Sequence, residues 1–406
     1  MTPRWLLLAV AAIFLGVGSV NACPFCNATG TTLTGEVAQA DFILYGTLSN
    51  PQRDPNDPTG LNKGTTDFTI EMVIKPHDMV KGKKTITIPR YLLPSADGKE
   101  YKHLIFFNVY NGQMDPYRGE PVPKDSKLPE YLKGAIDVRG KDTTTRLLYF
   151  FKYLEDQDIV VSTDAYTEFG YADYKDIATV APKLPAEMLM RWLKDPNTRG
   201  SRLGLYGLLL GHCGKSADAK TIRALLDDKD RSYVSGLDGV VAGYILLDPK
   251  EGWNYLVNLI RKKDQEFPVK YAALKTVRYF YEFRSDVIAH EKSLDAIRML
   301  MDDPDIADMP IEDVRKWKLW NLTPVVLGYA QKESHSGTPI TMRAILKFAI
   351  MASWADPKNT AAAEYVAAAK KKDPKRVQFL EEVLKDEIKP PTPATAGAKP
   401  PAKPGG

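Results

Sequence analysis

Cysteine is nearly absent from these 406 residues, and so is histidine: there are three of the first, at positions 23, 26 and 213, and five of the second. So few cysteines exclude a disulfide-built scaffold, and the domains must hold by hydrophobic packing. His77, His103, His212, His290 and His335 are scattered singly, so a metal site would have to be assembled entirely by folding. After residue 22 no apolar run reaches membrane-spanning length. Charge of either sign is not in excess, with 55 Lys and Arg against 51 Asp and Glu, and nucleic acid binding gets no support from composition.

Residues 1–22 carry Arg4, an apolar run from Trp5 to Val20 and small residues at Val20 and Ala22. That is the make-up of an export signal cleaved before Cys23. The expected mature chain is exported, whether periplasmic, envelope-tethered or extracellular. Its length is enough for two or three domains, each with its own core.

From Ala40 to Tyr110 the apolar pattern has a period of two. Phe68, Ile70, Met72 and Ile74 fall on one face, and Ile86 and Ile88 alternate with threonines. Asp41–Leu48 and His103–Tyr110 are two further strands, between loops such as Asn50–Gly64. Four or five short strands make residues 23–142 a β-rich domain of small barrel or sandwich type. Asn111–Lys127, with two glycines and three prolines, is expected to be a surface excursion.

At about Thr143 the period becomes helical and remains so to residue 388. Asp156, Asp195, Asp228, Asp264, Asp303 and Asp356 punctuate the helices at intervals of 39, 33, 36, 39 and 53 residues. Paired helices at spacings of roughly 33 to 47 residues mark a helical solenoid. Phe267–Val277 and Asp158–Ala165 resemble the turn and second helix of HEAT repeats, which implies an α-solenoid over 143–388 and an extended surface for holding another macromolecule. Residues 389–406, rich in Pro, Ala and Lys, read as a disordered tail.

Cys23-Pro24-Phe25-Cys26 is the one constellation of reactive side chains. It lacks the His that haem attachment needs after the second Cys, and no strand precedes it as in a thioredoxin-like pair. A lipid on Cys23 and a disulfide to Cys26 both remain open. With Val37–Gly46, an N-terminal Cys23 resembles the netrin-like domain of tissue inhibitors of metalloproteinases. That resemblance implies an OB-like β-domain, and a Cys23 whose amino group and carbonyl bind a protease zinc. Here two residues separate the first two cysteines, where that family has one.

His212-Cys213-Gly214-Lys215-Ser216 ends like a phosphate loop, but Leu209 stands where the loop needs Gly, and Leu203–Leu210 reads as a helix. Cys213 is assigned no catalytic role. On the segment 267–284, positions 273, 274, 277, 280 and 281 form a core face, and Lys270, Lys275, Arg278 and Arg284 its outer, partner-facing edge. No motif asks for a cofactor or a metal. The expected function is an exported, non-catalytic scaffold for a protein or an envelope polymer, touching a membrane only through a lipid on Cys23. The alternative is an exported protease inhibitor, or an enzyme whose site is assembled from distant residues. Intact-mass measurement on exported material should give a chain beginning at Cys23, and retention of Trp5–Val20 would refute the signal.

Overall fold

A computed structural model describes residues 23–56, 63–93, 101–228 and 235–388; the expected signal and tail lie outside them. The fold is α+β. A short helix α1 (Leu33–Gln39) precedes the strands β1 (Phe42–Arg53), β2 (Gly64–Lys75), β3 (Thr85–Ile88), β4 (Lys102–Tyr110) and β5 (Gln113–Val122). Helices follow: α2 (Leu128–Arg139), α3 (Thr143–Phe151), α4 (Ile159–Gly170), α5 (Tyr174–Val180), α6 (Ala186–Lys194), α7 (Gly200–Cys213), α8 (Asp218–Asp227) and α9 (Leu237–Leu247). Then come α10 (Pro249–Arg261), α11 (Phe267–Phe283), α12 (His290–Met301), α13 (Asp308–Lys316), α14 (Thr323–Tyr329), α15 (Glu333–Ser336), α16 (Pro339–Ala355), α17 (Thr360–Lys372) and α18 (Pro374–Ile388). The chain divides into two compact units between Leu247 and Asp248, and the boundary expected at Thr143 lies inside the first.

The strands form one antiparallel sheet in the order β3-β2-β1-β4-β5. Phe42, Leu44, Phe68, Ile86, Ile88, Ile105 and Phe107 make the core on one face, with the Phe42 and Phe107 rings stacked at 4.5 Å. Ile43, Leu104 and Phe106 are buried on the other, so β1 and β4 are covered on both sides. Strict alternation along β2 fails after Ile70. Tyr45 pairs with Met72 and Gly46 with Ile70, leaving Glu71 as an extra residue, and Val73 rather than Met72 joins the core. A bulge of this kind shifts the phase by one residue, and a second shift at Ile74, where Leu44 pairs with Val73 and Ile43 with Lys75, restores it.

The expected surface excursion is instead a strand over most of its length. Asn111 and Gly112 both have positive φ, at 50° and 77°, and turn β4 tightly into β5. Pro116 and Pro121 are accommodated because β5 is an edge, where a missing N–H breaks no ladder. Helical structure also starts earlier than Thr143: Pro129 sits in the first turn of α2, and Tyr131, Leu132 and Ala135 bury its inner face against the rest of the unit.

The acidic residues that punctuate the helices act as caps. The Asp158 side chain accepts the Val160 N–H at the start of α4, while Asp195, Asp228 and Asp356 end α6, α8 and α16. Within the first unit α7 and α9 are buried nearly all round and pack with their backbones unusually close. A methyl at Gly239 would lie 2.0 Å from the Gly204 carbonyl oxygen, and one at Gly243 would lie 2.1 Å from that of Gly207. Only glycine fits such a crossing. Arg202 and Tyr206, on the same helix α7, hold Glu155 beyond the end of α3.

Gly243→Ala should lower stability by about 2–3 kcal/mol, as overpacking forces the helices apart. Gly328→Ala, where an added methyl meets nothing within 4 Å, should be neutral or stabilise by up to about 1 kcal/mol through helix propensity. Urea unfolding of the two variants checks both values.

Candidate functional site

The N-terminal segment is built into the first unit as a clamp. Cys23 and Cys26 are joined by a disulfide across a tight turn, with Cα atoms 5.4 Å apart. Of the two fates open to Cys23, this is the disulfide; a sulfur bonded to Cys26 is not available for a lipid. Phe25, between them, is buried. The Cys23 N–H donates to the Gly170 carbonyl at the end of α4, and the Cys23 carbonyl accepts the Cys26 N–H. The Asn27 N–H donates to the Tyr166 hydroxyl at 3.1 Å. An inhibitor of the netrin-like kind needs the first cysteine's amino group and carbonyl exposed. Here the Cys23 N–H and carbonyl are both hydrogen-bonded within the chain, and Cys23 is 5% exposed.

Beyond the disulfide the chain forms α1, which is fastened at both ends. Asp164 of α4 accepts the Leu33 N–H at 2.6 Å, the Thr34 hydroxyl at 2.7 Å and the Tyr131 hydroxyl of α2 at 2.8 Å. The Thr32 hydroxyl accepts the Gly35 N–H and donates to Glu168 at 2.7 Å. Asp164 thus takes an orphan amide at the start of α1 directly, while Glu168 holds the Thr32 hydroxyl that caps the Gly35 amide. At the other end the Lys75 ammonium, from β2, donates to the carbonyls of Val37, Ala38 and Ala40. Burial raises the Glu168 carboxyl above its ordinary range despite Thr32 and Arg146, and burial lowers Lys75. This network contains acids and a redox-capable pair, yet its polar groups are turned on one another and serve to dock the segment.

Cys213, at the end of α7, is a half-buried free thiol, and burial pushes it up to about 11. A thiol held protonated at neutral pH is a poor nucleophile. Gly214 follows as the C-cap of that helix. His212 lies beside the Tyr174 hydroxyl at 3.2 Å, and His290 packs on Tyr281. Among the described residues no group of three or more His, Cys, Asp or Glu is placed to hold a metal ion, and no helix is long and apolar enough to cross a membrane.

Of the core face expected on α11, Ala273, Leu274, Val277 and Phe280 are buried, whereas Tyr281 is only half-buried. The exposure expected of Lys270 is corrected. Lys270 is 8% exposed and bridges Asp303 at 2.6 Å and Asp305 at 2.9 Å. Arg278 pairs with the buried Asp313 of α13 at 2.7 Å, and Arg284 with Asp286 at 2.8 Å. Lys275 is half-buried. Positions 270 and 278 lie about two turns apart on one side of α11, and that side meets the acids of the α12–α13 turn and of α13. What α11 exposes instead is aromatic: Phe267 and Tyr271 are 47% and 38% exposed, with ring planes only 4° apart. The four-residue spacing of these rings, followed by Lys275, is the sequence signal that marks the row.

Among the clefts of the described residues, one of about 370 Å³ at α6 and α8 is lined largely by charged residues such as Arg191, Lys194 and Lys215. Another of about 340 Å³ lies between α16, α17 and α18 and is mostly apolar. Compared with known proteins, the chain matches no family model, no curated protein and no solved structure. The HEAT-like and netrin-like resemblances therefore rest on the residues quoted for them.

Burial raises the Asp313 carboxyl to about 6, against the pull of Arg278. The native state then keeps this proton where the unfolded chain has lost it, so stability falls as pH rises from about 4 to about 6. A shift of this size corresponds to on the order of 3 kcal/mol. Asp313→Asn should remove that part of the decline, as read from urea unfolding of both proteins at pH 4, 5, 6 and 7.

Proposed function

We propose that the chain is an exported, non-catalytic binding protein of the cell envelope, which holds a macromolecular partner, a protein or an envelope polymer, on the surface of its helices. The observation that carries this reading is the exposed row on α11, where Phe267 and Tyr271 lie parallel beside Lys275. Exposed aromatics of this kind, rigid and amphipathic, are the side chains around which interface energy concentrates. In the same unit Tyr281 stacks on Trp317 at 3.9 Å, and Trp317 donates to Glu282, so further aromatic surface is held in fixed orientation. On this reading the helix pairs are HEAT-like repeats of a solenoid, and the five-stranded sheet is an OB-like β-domain carried at its N-terminal side. Export is read from residues 1–22 alone.

Truncating an aromatic anchor at an interface costs about 2 kcal/mol or more. Phe267→Ala combined with Tyr271→Ala should therefore lower capture of the partner from native envelope at least tenfold, while the thermal melt of the protein stays where it is. Undiminished capture by the double variant would remove the basis of the proposal.

A further inference from the structure

The cleft between α16, α17 and α18 has a floor and a rim of different chemistry. Leu346 and Val377 are buried beneath it and belong to the core of the three helices, and Met342 and Ala369 add apolar wall. Lys372 closes α17, and Arg376 stands in the first turn of α18 at the same mouth. At about 340 Å³ the space falls within the range of small-molecule sites, roughly 300–1,000 Å³.

Charge is strongly segregated around it. Residues 370–376 bring Lys370, Lys371, Lys372, Lys375 and Arg376 together with a single acid, Asp373. The Asp373 carboxylate is occupied as a helix cap, accepting the Arg376 N–H at 3.0 Å. The other end of α18 is acidic, and there Glu387 is held by Arg315 at 2.9 Å and Lys347 at 3.6 Å. At the basic end Lys372 and Arg376 form no ion pair among the described residues, and with the Asp373 carboxylate also in the lining the mouth keeps a net positive charge. Two unpaired cations at the lip of an apolar cleft favour a ligand that brings its own negative charge, and a guanidinium presents a planar fork suited to a carboxylate.

We propose that this cleft binds a single-chain amphiphile of the fatty-acid kind, its apolar chain on Leu346, Ala369 and Val377 and its carboxylate at Lys372 and Arg376. The site is separate from the aromatic row on α11 and does not depend on the partner proposed for it. A ligand seated there would also cover the side of α17 that its neighbours leave thinly packed, where Tyr365, Val366 and Ala369 are only half-buried.

The test is calorimetric titration of the full chain with dodecanoate, below its micellar concentration and at low salt. Saturable binding of one molecule per chain is expected. Lys372→Glu with Arg376→Glu should weaken it at least tenfold, and Ala369→Trp, which fills the cleft, should do the same. Both cations are exposed, and Lys372→Gln with Arg376→Gln repeats the test should the glutamates disturb the α17–α18 turn. Absence of saturable binding, dodecanol binding as tightly as dodecanoate, or unchanged affinity in the charge variants would overturn the proposal. Association with anionic phospholipid vesicles without binding of monomeric dodecanoate would overturn it too, and would assign the basic patch to a bilayer surface.

Discussion

The Asp164 carboxylate is the point on which the arrangement of the first unit turns. A seven-residue helix is too short to persist in water by itself, because nucleation costs more than so few hydrogen bonds return. Helix α1 exists because its first amides and the Thr34 hydroxyl end on Asp164, while Lys75 collects its last carbonyls. Since Asp164 also takes the Tyr131 hydroxyl, one buried acid ties α1, α2 and α4 together. Such a carboxylate is tolerable in the interior only when its oxygens are engaged in this way. The disulfide turn at Cys23–Cys26 extends the same fastening to the start of the described chain, so the segment before the sheet belongs physically to the helices after it.

The same logic of pairing decides what is left for binding. On α11 the cations that look available in the sequence are drawn inward to Asp303, Asp305 and Asp313, and the exposed positions go to Phe267 and Tyr271. Near α17 and α18 the opposite holds, with basic side chains concentrated where acids are few. A charge is free for a ligand only after the protein's own carboxylates have been counted in space. Helix ends matter here as well: the Asp373 carboxylate caps α18 and lines the same cleft, so it offsets part, but not all, of the charge of Lys372 and Arg376.

Much of the architecture was legible because it is local. The period-two runs of β1, β2, β3 and β4, the buried face of α11, and the aspartates that cap or end α4, α6, α8 and α16 all follow from interactions within a few residues. What was missed depends on partners distant in sequence. Strand β5 carries prolines that argue against a strand until its place at the sheet edge is known. The phase shift after Ile70 arises from pairing with Tyr45 and Gly46, and Glu71 bears no mark of it. The glycines of α7 and α9 look like weak points of two apolar helices, yet Gly207, Gly239 and Gly243 allow a close helix approach because each faces a carbonyl of the other helix.

The sequence by itself determined the order of sheet and helices, the scarcity of thiols and imidazoles from which a reactive site could be made, and the basic run at 370–376. Those are matters of composition, period and spacing, which need no partner. Only the tertiary structure decided that Cys23 and Cys26 pair and lie against α4, that Lys270 is buried, and that Lys372 and Arg376 border an apolar cleft without an ion pair among the described residues. Each of these depends on which groups from remote parts of the chain share a low-dielectric or water-poor space. That distribution is fixed by packing, and no local pattern carries it.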